Sequence, residues 1–241
     1  MNQPKKKILP VVLAVLMPLF CHLNAYALID YDIRGYVYDM PIFQEYPKAA
    51  DLFQPDGDND DIIMNLTRFR LMPELFIGDN SRITLHYELD ASLSNSSMMS
   101  MYEKGKTNRQ ITELYTEFAR GDIDSNVYYS AEHYIDMLYF KHLFDFGEIT
   151  FGRQVISWGV GRIWQPTDLF NPINPANFTK FERDGADAVS FKYYFGPFSD
   201  LELVYNFRKT WEKGNFAGRY RTNAVEYDLT AMAGYFDEKI I

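Results

Sequence analysis

Between Arg82 and Leu93 the chain alternates without a break. Ile83, Leu85, Tyr87, Leu89, Ala91 and Leu93 are apolar, and Arg82, Thr84, His86, Glu88, Asp90 and Ser92 stand between them. A period of two is that of a β-strand, whose successive side chains point to opposite sides of a sheet. The same pattern predicts strands over Asp30–Asp39, Ile62–Ile77, Ile135–Phe144, Ile149–Trp158 and Val225–Phe236, with further strand character over Ala186–Phe195, Leu201–Arg208 and Gly218–Phe236. A further strand is expected around Arg120, within Glu113–Ala131. This makes about ten strands without internal repeat, an all-β chain. Several reach the roughly 9–11 residues that a tilted strand needs to cross a bilayer, against about 5–6 for strands of soluble proteins.

Alternation alone does not choose between a soluble sandwich, apolar side inward, and a membrane barrel, apolar side outward. The connections bear on the choice. Tight turns are offered by Gly78-Asp79-Asn80-Ser81, Asp145-Phe146-Gly147-Glu148 and Gly196-Pro197-Phe198-Ser199-Asp200, and long polar connections by Met40–Asp61, Asn95–Gln110 and Gly159–Gly185. Short and long connections roughly alternate, as in outer-membrane barrels with short periplasmic turns and long external loops. The fold expected is an antiparallel transmembrane β-barrel.

The start of the chain supports export. Lys5, Lys6 and Lys7 precede an apolar stretch from Ile8 to Phe20, and Ala25-Tyr26-Ala27 has the small-x-small form of a signal-peptidase site. The stretch falls short of the roughly 20 residues of a spanning helix. Residues 1–27 are therefore read as a cleaved leader, with a barrel domain over 28–241. The single cysteine, Cys21, lies in the leader behind Pro18-Leu19-Phe20, so neither a lipid anchor nor a disulfide is expected.

Loss of the three leader lysines makes the mature chain three units more negative than the −9 of the whole sequence. Nucleic acid is an unsuited partner for such a chain. Outer-membrane lipid, lipopolysaccharide and small solutes are the expected partners, and self-association is left open. No Gly-x-Ser-x-Gly, His-Glu-x-x-His, phosphate loop or dinucleotide fingerprint is present, and Gly159-Val160-Gly161 lacks the third glycine of the last. His86, His133 and His142 are not spaced as a metal cluster. Neither an enzyme nor a cofactor protein is expected.

Phe151-Gly152-Arg153-Gln154-Val155-Ile156-Ser157-Trp158-Gly159 and Trp164-Gln165-Pro166-Thr167-Asp168-Leu169-Phe170-Asn171-Pro172 resemble segments of a little-characterised family of porin-like outer-membrane barrels of Gram-negative bacteria. The resemblance covers about Ile135 to Phe207 and implies a barrel and transport, without a substrate. Such barrels end on an aromatic residue, whereas here Asp237-Glu238-Lys239 reads as a turn and Ile240-Ile241 as the opening of another strand. A barrel truncated at its C-terminus is expected rather than ten strands closing with a short tail.

Candidate functional residues fall in three groups. The connection 159–185 carries Arg162, Trp164, Asp168, Phe170, Arg183 and Asp184, which suit a constriction folded into a lumen, with charges setting a transverse field and aromatics a stacking surface. Packing of its aromatics against the barrel rim is the alternative. Arg68, Arg70, Arg82, His86, Glu88 and Asp90 fall on the polar side of their strands, as lumen wall or as cross-strand pairs that fill a narrow lumen. Asp56, Asp58 and Asp60 alternate as calcium ligands do, but Asp61 and Thr67 stand where a calcium loop has glycine and glutamate. A solvated acidic loop is the simpler reading.

Overall fold

The computed structural model describes residues 28–45, 61–95, 115–124, 127–159, 167–171, 183–208, 213–224 and 226–240. The expected leader lies outside them. The described residues form strands and no α-helix: β1 (Ile29–Gln44), β2 (Ile62–Ile77), β3 (Ser81–Ser94), β4 (Tyr115–Asp124), β5 (Val127–Phe144), β6 (Gly147–Gln154), β7 (Ala186–Gly196), β8 (Ser199–Asn206), β9 (Asn215–Ala224), β10 (Tyr227–Phe236) and β11 (Lys239–Ile240). All belong to one antiparallel sheet in the order β1-β2-β3-β5-β6-β7-β8-β9-β10-β11, with β4 off this path on β5. Among the described residues the sheet is not closed, because β1 pairs only with β2 and β11 only with β10.

Three sequence expectations are corrected. Gly218–Phe236 is a hairpin that turns at Glu226, whose φ of 68° lies in the left-handed region that few non-glycine residues adopt, and the strand expected over Val225–Phe236 is its second arm, β10. Glu113–Ala131 is likewise divided between β4 and β5. The strand expected to reach Trp158 leaves the sheet after Gln154. Elsewhere period two placed strands where they are observed, with Ile62–Ile77 at the bounds expected, although β1 runs on past Asp39 to Gln44 and β5 begins at Val127 rather than Ile135.

The turns sort by end. Turns at 78–80, 145–146, 197–198 and Glu226 lie at one end of the sheet, beside Leu28, whose carbonyl accepts from Gly78 N at 3.0 Å. Gly78 takes a φ of 61°, which glycine reaches without steric penalty. Connections 45–61, 95–114 and 155–185 leave from the other end, where β4 also meets β5 at Asp124 and Val127 and the turn at 237–238 lies. Asp237 and Glu238 both have positive φ, the geometry of a two-residue hairpin that follows strand twist.

Residues opposite one another in an antiparallel pair share a face, so the register fixes the two sides. One side carries Ile29, Ile33, Val37, Phe69, Leu138, Phe151, Leu203, Phe216, Tyr220, Leu229 and Tyr235, all exposed. The other carries Arg68, Arg70, Glu88, Asp90, Ser190, Asp200 and Asn206, all buried. This is the inverse of a soluble sheet, which hides its apolar side.

β5 spends its second edge on two neighbours, β4 along Val127–Tyr134 and β6 along Leu138–Phe144. Between them a bulge inserts Asp136, where the register against β3 shifts at His86/Tyr87. Arg153 Nη1 donates to Ile135 O at 2.9 Å and Gly185 N to Asp136 O at 3.1 Å, which satisfies the carbonyls that no strand reaches. A Cβ at Gly185 would collide with the Asp136 carbonyl oxygen, so this contact requires glycine.

Candidate functional site

The polar side of β2, β3 and β5 holds a compact set of ion pairs. Arg68 binds Asp90 with both arms of its guanidinium, Nε to Oδ1 at 2.7 Å and Nη2 to Oδ2 at 2.8 Å, and lies 2.9 Å from Glu88 Oε1. Arg70 pairs with Glu88 and reaches across to Asp136 Oδ2 at 2.5 Å. The Tyr134 hydroxyl donates to Glu88, and the Arg68 guanidinium lies 5.4 Å from the centre of the Tyr38 ring. Arg70, Glu88 and Asp136 are almost wholly buried. Buried charges are tolerated only when paired and hydrogen-bonded, and here each cation meets two carboxylates.

Of the residues expected on this wall, Arg68, Arg70, Glu88 and Asp90 are brought together. His86 Nδ1 is 3.3 Å from Arg70 Nη2, and Arg82 stands nearer the short turns, opposite Phe76 and Lys141. Tyr134 and Asp136 were missed. Tyr134 follows from parity on β5, but Asp136 joins only through the bulge, which nothing in the alternation of Ile135–Phe144 reveals.

A second ladder, also missed, crosses β5 to β9 near the short-turn end. Lys141 Nζ is 2.6 Å from Glu148 Oε2; Glu148 faces Lys192 in the register, and Lys192 faces Glu202. Arg219 Nη2 lies 2.7 Å from Glu202 Oε2, and Arg221 Nη2 lies 2.6 Å from Asp200 Oδ2. Signs alternate along the row. The period-two reading that singled out β3 would have found Asp200, Glu202, Arg219 and Arg221 had it been applied to these shorter strands.

Beyond this ladder the polar side of β7 to β10 becomes small: Ala186, Ala188, Ala217 and Gly234. Onto this floor folds the chain that left the sheet after Gln154. Ile156, Trp158 and Phe170 are buried with Ala186, Ala188, Val204, Ala217 and Phe236 in one apolar cluster, where Phe170 packs edge-on to both Trp158 and Phe236 at 5.3 and 5.2 Å between centroids. Trp158 Nε1 donates to Glu202 Oε2 at 3.0 Å, and Arg219 lies over its ring at 5.8 Å.

Two amides of the inserted segment are satisfied by side chains rather than by a neighbouring strand. Ile156 N donates to Asn171 Oδ1 at 2.6 Å and Trp158 N to Asp168 Oδ1 at 3.1 Å. Asp168 pairs with Arg183, whose Nη1 donates to Ser157 Oγ at 2.6 Å, and Asn171 Nδ2 donates to the Asp184 carbonyl. Thus Asp168, Phe170, Arg183 and Asp184 converge, and Trp158 and Asn171 join them. Asp168 and Arg183 face each other as a pair rather than standing as isolated charges. Arg162, Trp164 and the acidic stretch with Asp56, Asp58 and Asp60 lie outside the described residues. Among the described residues no group of three or more His, Cys, Asp or Glu is placed to hold a metal ion.

Comparison with protein-family models, with curated proteins and with solved structures finds no match to this chain.

Proposed function

We propose that this chain builds the wall of an outer-membrane β-barrel, whose polar side lines a narrow, porin-like path for small solutes and whose segment after Gln154 is the constriction. The observation that carries this reading is the division of the sheet, with Ile33, Val37, Leu229 and Tyr235 exposed on one side and Arg68, Arg70 and Glu88 buried on the other. An apolar surface of this extent is not tolerated in water, and a bilayer is the medium that suits it. In a soluble β-protein, sugar-binding or otherwise, the sides would be exchanged.

Two further features agree. The short turns gather at the end where Leu28 enters, as in barrels whose chains start on the periplasmic side. A run of aromatic contacts follows the same end across three hairpins, Phe144 to Phe146, Phe146 to Tyr193, Tyr193 to Phe195 and Phe195 to Tyr220. Such rings suit the interface between hydrocarbon and headgroups. Unpaired backbone groups cost several kcal/mol each in hydrocarbon, so the reading requires a partner for the open edge of β1. An antiparallel partner must run from the long-connection end toward the short turns, the direction in which β11 sets out.

Full-length protein reconstituted in planar bilayers is expected to give discrete conductance steps. Because cations and anions interleave along both ladders, the reversal potential in a salt gradient is expected near zero. A second reading, a structural or assembly barrel with a filled lumen, is favoured by the closely paired charges around Arg70. A heat-modifiable, membrane-inserted protein without conductance would select it. Recovery from the periplasm without detergent would defeat both.

A further inference from the structure

The strands differ in length by side. β1 and β2 have 16 residues each and β5 has 18, whereas β6 and β8 have 8 and β9 and β10 have 10. At about 3.4 Å per residue and a tilt of ~40°, a ten-residue strand spans about 24 Å of depth and a 16-residue strand about 39 Å. The apolar band of an outer-membrane barrel is only about 25 Å tall. The long strands therefore exceed it.

Short turns at one end tie β2 to β3, β5 to β6, β7 to β8 and β9 to β10, and β1 starts there beside Gly78, so the surplus of the long strands lies at the other end. The side chains mark where it starts. Along the apolar side of β1 come Ile29, Tyr31, Ile33, Gly35 and Val37, and then Asp39. Its carboxylate accepts from Thr67 Oγ1 at 2.7 Å and Asn65 Nδ2 at 2.8 Å, both on β2 and on the same side. Ile29 to Asp39 covers roughly 26 Å of depth at that rise and tilt, so a carboxylate appears on the apolar side where the band should end.

A third observation is independent of both. The Asp39 row continues through Thr67 and Ala91 to Ala131, and β4 joins β5 along Val127–Tyr134, with Val127 to Ala131 at or beyond that row and Glu132, His133 and Tyr134 reaching three residues below it. No strand covers the second edge of β4 among the described residues. An unpaired edge is prohibitive in hydrocarbon and harmless in water.

We infer that the polar row Asp39, Asn65 and Thr67 lies in the headgroup layer on the long-connection side, and that β1 to β5 rise beyond it as a half-wall outside the bilayer. This rests on the barrel reading above. The rim is then high over the charged network and low over the small-residue floor, where the inserted segment covers the opening.

Single cysteines test the inference in a Cys21→Ser background, because the described residues hold no cysteine. Ile33→Cys, Val37→Cys and Phe69→Cys lie below the row, and Phe43→Cys, Ile63→Cys and Leu93→Cys above it. All six native side chains are exposed in the protein alone, Val37 at 65 % and Phe43 at 76 %, so only lipid separates the two sets. The full chain is reconstituted in phospholipid vesicles, its heat-modifiability is verified, and a membrane-impermeant maleimide is supplied on both sides. The lower set is expected to resist labelling until detergent is added and the upper set to label fully without it. Protection of all six would overturn the half-wall and leave the barrel standing. Labelling of all six without detergent would overturn the barrel as well.

Discussion

The two halves of the polar side solve one problem in opposite ways. Across β2, β3 and β5 long charged side chains fill the space, with Arg68 and Arg70 each held by two carboxylates. Across β7 to β10, beyond the ladder of Lys192, Glu202 and Arg219, the wall supplies alanine and glycine, and a separate piece of chain brings Trp158 and Phe170 to cover them. The first is self-filling but unforgiving, since every charge depends on its neighbours. The second is assembled from two pieces, so one piece can be altered while the wall remains. The difference teaches that the strength of a contact and its separability are distinct properties of a lining.

Three substitutions press on that contrast. Arg70→Ala leaves Glu88 and Asp136 as buried carboxylates without their shared cation, and the unfolding free energy in urea titrations from lipid vesicles should fall by roughly 3–5 kcal/mol. Phe170→Ala empties the centre of the apolar cluster and should lower stability by about 3 kcal/mol. It should also raise single-channel conductance, which Arg70→Ala should leave near its original value wherever the barrel survives. Equal conductance changes in the two variants would erase the distinction between halves. Asn171→Ala removes the acceptor of Ile156 N and the donor to the Asp184 carbonyl, and the expected loss is about 1–2 kcal/mol. Its conductance steps should be broadened rather than enlarged, because the segment keeps its aromatic anchors.

The wall was legible in the sequence because one side of every strand had to be apolar. Arg82–Leu93 and Ile62–Ile77 carry that requirement openly, and the candidate charges on β2 and β3 were found with it. The departures depend on contacts between distant residues. Val155 to Trp158 continues the alternation of β6, yet the partners of its amides are the side chains of Asn171 and Asp168. The strand from Val225 was legible, but the turn before it carried no signal of its own, because it places Glu226 at positive φ where glycine or asparagine would have marked it. The position of β4 depends on an edge of β5 that opens only because β6 is short.

Arg153 stands just before the excursion and Gly185 just after it, and both are fastened to adjacent carbonyls at the Asp136 bulge. Gln154 and Ala186 then pair directly, so the wall is already in register where the excursion departs and where it returns. What lies between is a cassette with a single footing. Doubling the length of a flexible loop adds only about 0.6 kcal/mol of closure entropy. Residues 155–184 could thus be exchanged as a unit, with the sheet serving as a socket for interchangeable inserts.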